Sequence, residues 1–199
     1  MRTRFVGIAV TALVLIATAN ADAIFETGNH PQPNEENILQ AGQTGTTIDG
    51  FTNRSNTLVQ FSSTTDTLIG TGGQSDIDAM DGLINNITIT VPGHTFLDLI
   101  FNPFKPASAN DLVVTVVTNT GPFTFTYGDT HGDNFLTMTT INGETISSVT
   151  IDSASGFQEL KQPRISGISG VTIIPEPSSL LLLGSGMLGL GYLVRRKRQ

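Results

Sequence analysis

Two short acidic clusters contain the side chains best suited to bind a metal ion. The first is the sequence DTHGDN at positions 129–134, in which oxygen ligands alternate around a glycine. Calcium takes several oxygens from one flexible loop, so Asp129 and Asp133 are candidate ligands. His131 stands where such a loop prefers Asp or Asn, and no glutamate follows at the usual distance. The alternative is a solvated turn between two strands, in which Asp and Gly serve only the backbone geometry.

The second cluster consists of Asp76, Asp78 and Asp81, just before Gly82. In a β-strand the side chains of residues 76 and 78 lie on one face, and the third aspartate then falls in the following turn. Calcium is again the cofactor that such carboxylates suit. Both clusters are hypotheses, which the absence of calcium binding at millimolar concentration in calorimetry would contradict.

The remaining residues do not predict an enzyme. His30 precedes a proline in a polar segment, and His94 follows a Pro-Gly turn, so both are expected to be loop residues. The sequence contains no Gly-x-Ser-x-Gly elbow, no paired-histidine metal motif and no phosphate-binding glycine loop. The chain has no cysteine, which excludes thiol nucleophiles, zinc–thiolate sites and disulfides. Paired carboxylates for glycoside hydrolysis depend on spacing in three dimensions, so the sequence leaves that alternative open.

The central part of the chain is strongly acidic. Residues 24–174 include four basic and fifteen acidic side chains, which gives a net charge of −11. Such a surface repels nucleic acid and anionic lipid headgroups, and it favours cations and solubility. We therefore expect no nucleic-acid partner. About 150 residues are enough for one domain with a hydrophobic core.

The pattern of these residues predicts an all-β domain. Short runs rich in Val, Ile, Thr and Phe alternate with Gly, Asn, Asp and Pro, which is typical of an antiparallel β-sandwich or jelly roll. The segment 26–37 is polar and carries two prolines, so it is expected to be a loop or partly disordered. The clearest predicted strands are residues 57–62, 83–91, 95–101, 111–118, 123–127, 135–140, 145–151 and 171–174.

Two local patterns sharpen this prediction. Phe123, Phe125 and Tyr127 alternate with threonines, a period of two that directs the rings inward and the hydroxyls outward. Asn142 and Gly143 separate two predicted strands, and this pair favours a hairpin with a type I′ turn. Other threonine pairs also place hydroxyls two residues apart, as an ice-binding surface would, but no repeat of fixed period aligns them.

The two ends of the chain carry targeting signals. At the N-terminus, basic Arg2 and Arg4 precede an apolar stretch at 5–17 and two small-x-small cleavage sites, so residues 1–23 are predicted to be a secretory signal peptide. At the C-terminus, residues 175–199 begin with Pro-Glu-Pro and continue with seventeen uncharged residues at 178–194. As a helix these would span about 25 Å, the lower limit for crossing a bilayer core. The basic cluster that follows predicts a cytoplasmic C-terminus.

The order of these three parts of the tail resembles the PEP-CTERM sorting tail of exopolysaccharide-producing Gram-negative bacteria. In that family an integral-membrane, transpeptidase-like protease, exosortase, recognises the motif and processes the tail. The resemblance implies a recognition site, a single transmembrane helix at 178–194 and a stop-transfer signal. Residues 95–103 and 135–170 also resemble β-sandwich ectodomains that often precede such a tail. The recognition site would be Pro175, Glu176 and Pro177, and the stop-transfer signal Arg195, Arg196, Lys197 and Arg198.

The sequence thus predicts an exported, membrane-anchored precursor whose mature form lies at the cell envelope or surface, or in the extracellular matrix. Its expected partners are an exosortase-type protease, the membrane and extracellular polysaccharide. The expected function is non-enzymatic, as a structural or adhesive component of the matrix. The alternative is a calcium-assisted carbohydrate-binding module. The chain has no tryptophan and only two tyrosines, which argues against sugar binding by aromatic stacking.

Overall fold

The computed structural model describes residues 23–128 and 134–170. This part of the chain forms antiparallel β-strands and contains no helix, so the prediction of an all-β domain is confirmed. Nearly all of the predicted signal peptide, the loop 129–133, the predicted strand 171–174 and the tail lie outside the described residues. The strands are β1 (Ala23–Thr27), β2 (Glu36–Gln40), β3 (Gln43–Gly45), β4 (Thr47–Thr52), β5 (Leu58–Ser62), β6 (Leu68–Gly70), β7 (Gly73–Gln74), β8 (Asp76–Ala79), β9 (Ile84–Thr90), β10 (Asp98–Pro106), β11 (Leu112–Thr118), β12 (Gly121–Tyr127), β13 (Leu136–Thr140) and β14 (Ile146–Ser166).

The long strand β14 organises the fold because its two halves pair with different neighbours. Its first half lies between β9 and β11, and its second half pairs with β10, β8 and β2. Between the halves, the pairing with β9 jumps from Asp152 to Phe157, and Gly156 has a φ of 80°. This left-handed backbone is readily adopted only by glycine. The strand therefore bends here and joins two groups of strands, an arrangement that fits a β-sandwich-like or barrel-like fold.

The core lies between the inward faces of these two groups. One row of apolar side chains crosses five strands in register, through Ile48, Phe61, Ile89, Val149 and Val116, and all five are buried. The outward row beside it consists of hydroxyl side chains. This alternation of apolar and polar faces is the period of two predicted from the sequence. Beside this core, the rings of Phe25 (β1) and Phe125 (β12) stack with their centroids 4.6 Å apart.

The prediction of a hairpin at Asn142 and Gly143 is half right. Both residues have positive φ, 55° and 82°, and the Glu144 amide donates to the Ile141 carbonyl at 3.1 Å, as in a type I′ turn. However, β13 and β14 do not pair with each other, because β10 lies between them. The turn therefore connects two strands that share a neighbour, and the predicted hairpin is wrong. Local turn chemistry specifies the backbone angles but not which strands pair.

Seven of the predicted strands overlap observed ones, whereas the short strands in the first half of the domain were missed. β4 escaped prediction because it contains Gly50. A Cβ added to this glycine would lie 2.7 Å from Ile38 Cγ2 and 3.3 Å from Phe61, so the close contact between strands requires glycine there. The segment 26–37 is predicted to be a loop or partly disordered, but its first two residues belong to β1 and its last two to β2. Its centre is held by a hydrogen bond from the His30 amide to Thr137 Oγ1 at 3.1 Å.

The strand registers define two ends of the domain. At the tail end lie the first residues of β1, the turn before Phe96, the turn at 141–144 and the chain exit at 166–170. These are brought together by the pairings of Ile24, Thr139, Asp98 and Ser166 in one row and by the bridge between Phe96 and Ile146. At the far end lie the loop 63–66, the start of β11 and the bend at Gly156. Ten residues of β14 separate the two ends, which corresponds to about 33 Å.

Candidate functional site

The loop 63–66 at the far end is built around the buried carboxylate of Asp66. One of its oxygens, Oδ2, accepts hydrogen bonds from Ser63 Oγ (3.1 Å), Thr65 Oγ1 (2.8 Å) and the backbone amides of Asn85 (2.9 Å) and Asn86 (3.0 Å). Burial by itself would raise the pKa of Asp66, but these hydrogen bonds outweigh it, so the pKa lies below its ordinary value. The carboxylate stays ionised at neutral pH and fixes the start of β9 against this loop.

Asp111, just before β11, holds the neighbouring stretch of β14 in the same way. Its Oδ2 accepts from Ser153 Oγ and the Ser155 amide, both at 2.7 Å, and from Ser155 Oγ, while Oδ1 accepts from the Ala154 amide at 3.2 Å. The hydrogen bonds from Ser155, followed by that from Ser153, lower the pKa of Asp111 to about 2. The backbone just before the bend at Gly156 is thus tied to the beginning of β11.

Amide side chains link these two carboxylates. Asn86 Nδ2 donates to Asp152 Oδ1 at 2.6 Å, and Asn86 Oδ1 accepts from Thr64 Oγ1 at 3.2 Å. Asn85 Nδ2 donates to the Ser153 carbonyl at 3.0 Å. Together they line a cavity of about 480 Å³, which we call the far-end groove. Its polar lining consists of Thr64, Thr65, Asn85, Asn86, Asp111, Asp152 and Ser153.

The chemistry of the far-end groove is that of a hydrogen-bond acceptor surface. Its lining contains carboxylates, amides and hydroxyls, and neither a basic nor an aromatic side chain. The carboxyl groups of Asp111 and Asp152 disfavour an anion, whereas they attract a cation or the hydroxyl donors of a neutral ligand. Its volume lies within the ordinary range of small-molecule sites. Sugar binding here would rest on hydrogen bonds and not on ring stacking.

The structure brings two of the three aspartates of the second predicted cluster together. Asp76 and Asp78 lie in β8 opposite Lys161 and Glu159 of β14. Desolvation, then repulsion by Glu159 and by Asp76, raises the pKa of Asp78, while Lys161 opposes the shift. Asp81 follows in the turn and lines a different depression. Within residues 23–128 and 134–170, no three acidic or histidine side chains converge as metal ligands.

Lys161 is the counter-ion of this acidic pair. Its Nζ lies 2.5 Å from Glu159 Oε2 and 3.8 Å from the ring centroid of Phe104. The hydrogen bond to Glu159 is the main cause that raises the pKa of Lys161. Glu159 offsets the charge of Lys161, so the four side chains together keep the net charge of −2 that Asp76 and Asp78 carry alone.

The first predicted calcium loop begins beside the far-end groove. Residues 129–133 lie outside the described residues, so calcium at Asp129 and Asp133 stays a prediction. The strand that leads to the loop ends at Tyr127, which pairs with Leu112, the residue after Asp111. On the other side of the loop, Asn134 is buried, and its backbone amide donates to Asn102 Oδ1 at 2.9 Å. The strand before the loop thus ends at the far end, whereas Asn134 is held near the middle of β10, whose residues 102 and 103 pair with Lys161 and Leu160.

Neither described histidine is arranged as a general base. His30 is exposed, and its Nε2 lies 3.0 Å from the Thr27 carbonyl. His94 Nδ1 donates to the Ser169 carbonyl at 2.7 Å, where it ties the turn after β9 to the chain exit. Because a backbone carbonyl only accepts hydrogen bonds, the bonded nitrogen of each ring carries the proton. Both rings thus serve the local structure in this conformation.

A second cavity, of about 410 Å³, opens near the tail end. It is lined by Pro33, Leu97, Asp98, Ser166 and Ile168, among others. The Asp98 side chain is almost fully buried and accepts from Ser166 Oγ at 2.5 Å. Burial raises the pKa of Asp98, although the hydrogen bonds from Ser166 and Thr139 oppose this. The pKa of Asp98 is thus shifted in the opposite direction to the pKa values of Asp66 and Asp111 at the far end.

Comparison with known proteins gives one positive result. The family described as PEP-CTERM protein-sorting motif matches residues 174–198, where the sequence places the Pro-Glu-Pro motif, the apolar segment and the basic cluster. No curated protein and no solved structure matches the chain. In the part of the chain that the structure describes, no helix is long and apolar enough to cross a membrane.

The chain therefore carries a PEP-CTERM protein-sorting motif, and an antiparallel all-β domain precedes it. The motif supports export and sorting by way of a membrane-anchored precursor, with processing by exosortase, which is a membrane protein.

Sequence reasoning missed the carboxylates that organise the far end of the domain. Asp66 and Asp111 are single aspartates at strand boundaries, 45 positions apart, and the register of β9 with β14 brings their hydrogen-bond partners side by side. A signal for the first did exist, because the sequence Ser-Thr-Thr-Asp at 63–66 is typical of a turn closed by side-chain hydrogen bonds. Nothing comparable marks the second.

Proposed function

We propose that this protein is a non-enzymatic structural or adhesive component of the extracellular matrix, delivered to the cell surface by its sorting tail. The observation that carries the proposal is the sorting motif at residues 174–198. A membrane-anchored precursor whose anchor is removed releases its domain outside the cell. The predicted signal peptide at residues 1–23 and the predicted cytoplasmic location of the basic cluster agree with that route.

The domain itself suits such a role. Its described part is stabilised by a continuous buried core and by strand pairing, without disulfides. The outward face of its largest group of strands presents a row of hydroxyl side chains in register across six strands: Thr47, Ser62, Thr88, Thr150, Thr115 and Thr124. Thr88 Oγ1 and Thr150 Oγ1 lie 2.9 Å apart. The row arises from the register of the strands and not from a repeat in the sequence, and such a hydroxyl-rich surface can pack against another hydrated polymer.

The delivery step is tested by intact mass spectrometry of the protein in surface material. We expect a mass that lacks both the signal peptide and Arg195–Arg198. In cells from which the exosortase-type protease has been deleted, we expect the protein in the membrane fraction with its tail intact. A mass that still includes Arg198 in surface material from normal cells would contradict delivery by tail processing. The structural role predicts weaker biofilm cohesion when the gene is deleted, without loss of any small-molecule product.

The far-end groove favours one second function, a calcium-assisted carbohydrate-binding module. The groove offers ionised carboxylates and amides to hydroxyl donors, and the predicted calcium loop begins two residues beyond the strand that ends beside it. Calcium bound at Asp129 and Asp133 would add a Lewis-acidic contact for sugar hydroxyls at the same end of the domain.

Co-sedimentation with extracellular polysaccharide from the host, with and without chelator, separates the two functions. Saturable pelleting that is lost in chelator supports the calcium-assisted module, and it should also be lost in Asp129→Asn and Asp133→Asn. Asn86→Ala should weaken pelleting because it removes two hydrogen-bonding groups from the groove. The matched control is Asp49→Ala, which removes an outward-facing carboxylate on β4, outside the groove. Chelator-independent pelleting that is indifferent to both groove and loop variants would exclude the module.

A further inference from the structure

The chain enters and leaves the domain at the same end. Ile24, Thr139, Asp98 and Ser166 stand in one row on four adjacent strands, so the beginning of β1 and the end of β14 lie about 14 Å apart. Beyond β14 the chain is pinned once more, because the Ser169 amide donates to the Thr95 carbonyl at 2.8 Å. The segment that leads to the sorting tail therefore starts from a fixed point at the tail end.

Exposed apolar side chains surround this point. Ile24 is 43% exposed, and Leu97 and Ile141 are each 38% exposed. Their backbone positions are linked through Thr140, which follows the partner of Ile24 in β13, precedes Ile141 and donates from its backbone amide to the Leu97 carbonyl at 3.0 Å. We call these three side chains the tail-end patch. Isolated exposed apolar residues are common, so the meaning of this patch depends on what lies opposite it.

Most carboxylates near the patch are buried. Glu36, Asp98 and Glu144 are 2%, 8% and 6% exposed, whereas Glu26, two residues from Ile24 in β1, is exposed. Glu36 Oε2 accepts from the backbone amides of Arg54 and Ser55, at 3.1 and 2.7 Å. The far-end groove is lined by Asp152, six residues of β14 from Ile146, which corresponds to about 20 Å. Three of these four carboxylates are therefore withdrawn from the surface at the start of the tail.

The length of chain beyond this point limits what can lie opposite the patch. Eight residue steps separate Gly170, the last described residue, from Ser178, the first residue of the apolar segment. Even a fully extended chain covers at most about 29 Å over this distance. When the apolar segment lies in a bilayer, the tail end is held within that distance of the lipid surface. A short tether creates a high effective concentration, at which contacts too weak to act alone become occupied.

We propose that the tail-end patch rests on the lipid bilayer while the precursor still carries its tail, so that the domain stands on the membrane with its acidic far end outward. The proposal rests on the membrane-anchored precursor of the proposed function. It adds a defined orientation and a lipid-contacting surface. Removal of the tail abolishes the tether, and the patch then leaves the bilayer with the domain.

A single tryptophan tests this directly, because the natural chain contains none. The full-length protein is reconstituted in phosphatidylcholine vesicles with brominated acyl chains, and tryptophan is placed either at Ile141 (tail end, 38% exposed) or at Leu83 (far end, 36% exposed). The two positions have matched exposure. We expect at least twofold quenching and a blue-shifted emission for Ile141→Trp, and an unchanged signal for Leu83→Trp. Vesicle flotation is measured on the same samples.

The outcomes separate this proposal from the one that it depends on. A chain that fails to float shows that the tail does not insert, and both proposals fall. A chain that floats, with equal quenching at both positions or none at Ile141→Trp, overturns the orientation alone. Leu97→Trp provides a second tail-end probe if Ile141→Trp unfolds. As a further control, Leu97→Ser combined with Ile24→Ser should reduce the quenching of Ile141→Trp, whereas Met80→Ser at the far end should not.

Discussion

The two ends of the domain hold their carboxylates in opposite ways. At the far end, Asp66 and Asp111 accept several hydrogen bonds each, and their pKa values are lowered. At the tail end, Asp98 is buried with fewer donors, and its pKa is raised. A buried carboxylate stabilises a fold when its hydrogen bonds exceed the cost of desolvation, and otherwise it costs stability as an ion. Hydrogen bonds to ionised carboxylates thus stabilise the far end. At the tail end, a carboxyl group is buried whose ionisation costs stability.

The same contrast separates what each end offers to its surroundings. The far end presents carboxylate and amide acceptors around a groove and the strand end that leads to the predicted calcium loop. The tail end presents apolar side chains and the start of the sorting segment. The proposals above assign the first surface to a partner outside the cell and the second to the membrane. The predictions below test this division, beginning with the largest expected effect.

Ending the chain at Ile174 should abolish membrane association completely, because it removes the apolar segment at 178–194 and the basic cluster. The unfolding midpoint of the domain should not change, since the core lies within residues 23–170. Vesicle flotation and urea unfolding measure the two properties. Residual flotation of the shortened chain would mean that the tail-end patch binds lipid without the tether.

Substitution of the two buried carboxylates should have unequal effects. Asp66→Ala leaves the amides of Asn85 and Asn86 without their acceptor, and it should lower the free energy of unfolding by about 2–3 kcal/mol. Asp98→Asn keeps an acceptor for Ser166 and removes a buried charge, so it should change stability by less than about 1 kcal/mol. Urea unfolding at neutral pH measures both. Equal losses in the free energy of unfolding would contradict the difference between the two ends.

Two glycines with left-handed backbone angles should differ in their tolerance of alanine. At the tail end, Gly167 has a φ of 64°, and a Cβ there would lie 2.5 Å from Leu97 Cγ, so Gly167→Ala should cost about 2–4 kcal/mol. Gly143 has a φ of 82° with no atom within 4 Å, so Gly143→Ala should cost only the backbone strain of about 1–2 kcal/mol. Thermal unfolding of the two variants makes the comparison. A cost for Gly167→Ala no larger than that of the control would mean that Leu97 moves aside freely.

Asp98 at the tail end should contribute to the pH dependence of stability with the opposite sign to Asp66 and Asp111 at the far end. Because the pKa of Asp98 is raised, the folded state binds its proton more tightly, and stability from this group increases as the pH falls toward about 4. Asp78 contributes with the same sign. Because the pKa values of Asp66 and Asp111 are lowered, their contribution is complete above about pH 4 and is lost as the pH falls toward 2.

Two variants separate these contributions. Asp98→Asn should flatten the rise on acidification, and Asp111→Asn should reduce the loss below pH 4. Urea unfolding between pH 2 and 7 records both effects, which should be the smallest of this series. If the stability of Asp111→Asn falls below pH 4 as steeply as that of the natural protein, the hydrogen bonds of Asp111 to residues 153–155 do not contribute to the pH dependence of stability.

Much of the fold could be predicted from sequence because β-structure has a short period. The alternation at 123–127 places Phe123 and Phe125 toward the core, with the threonines outward, as expected. The positive φ angles of Asn142 and Gly143 were also predictable, since they depend on two residues only. The pairing of β13 was not, because its neighbours β1 and β10 come from distant parts of the chain.

The candidate sites divide in the same way. Pro175, Glu176 and Pro177 are read from a continuous segment, and the family match includes them. The groove around Asn86 and Asp152 could not be predicted, because no pattern in the sequence marks which polar residues share a face across strands. Asp76 and Asp78 were correctly placed on one face, but Lys161 opposite them was not foreseen.

The sequence by itself determined the sorting motif of this protein and its all-β class. Both depend on short-range patterns. The motif depends on the order of three tail segments, and the class depends on the alternation of side chains along each strand. Only the tertiary structure decided which carboxylates are strongly hydrogen-bonded acceptors and which is buried with a raised pKa, and that the start of β1 and the end of β14 lie at the same end of the domain. These depend on the register of β14 with its neighbours, and register results from the packing of the whole core.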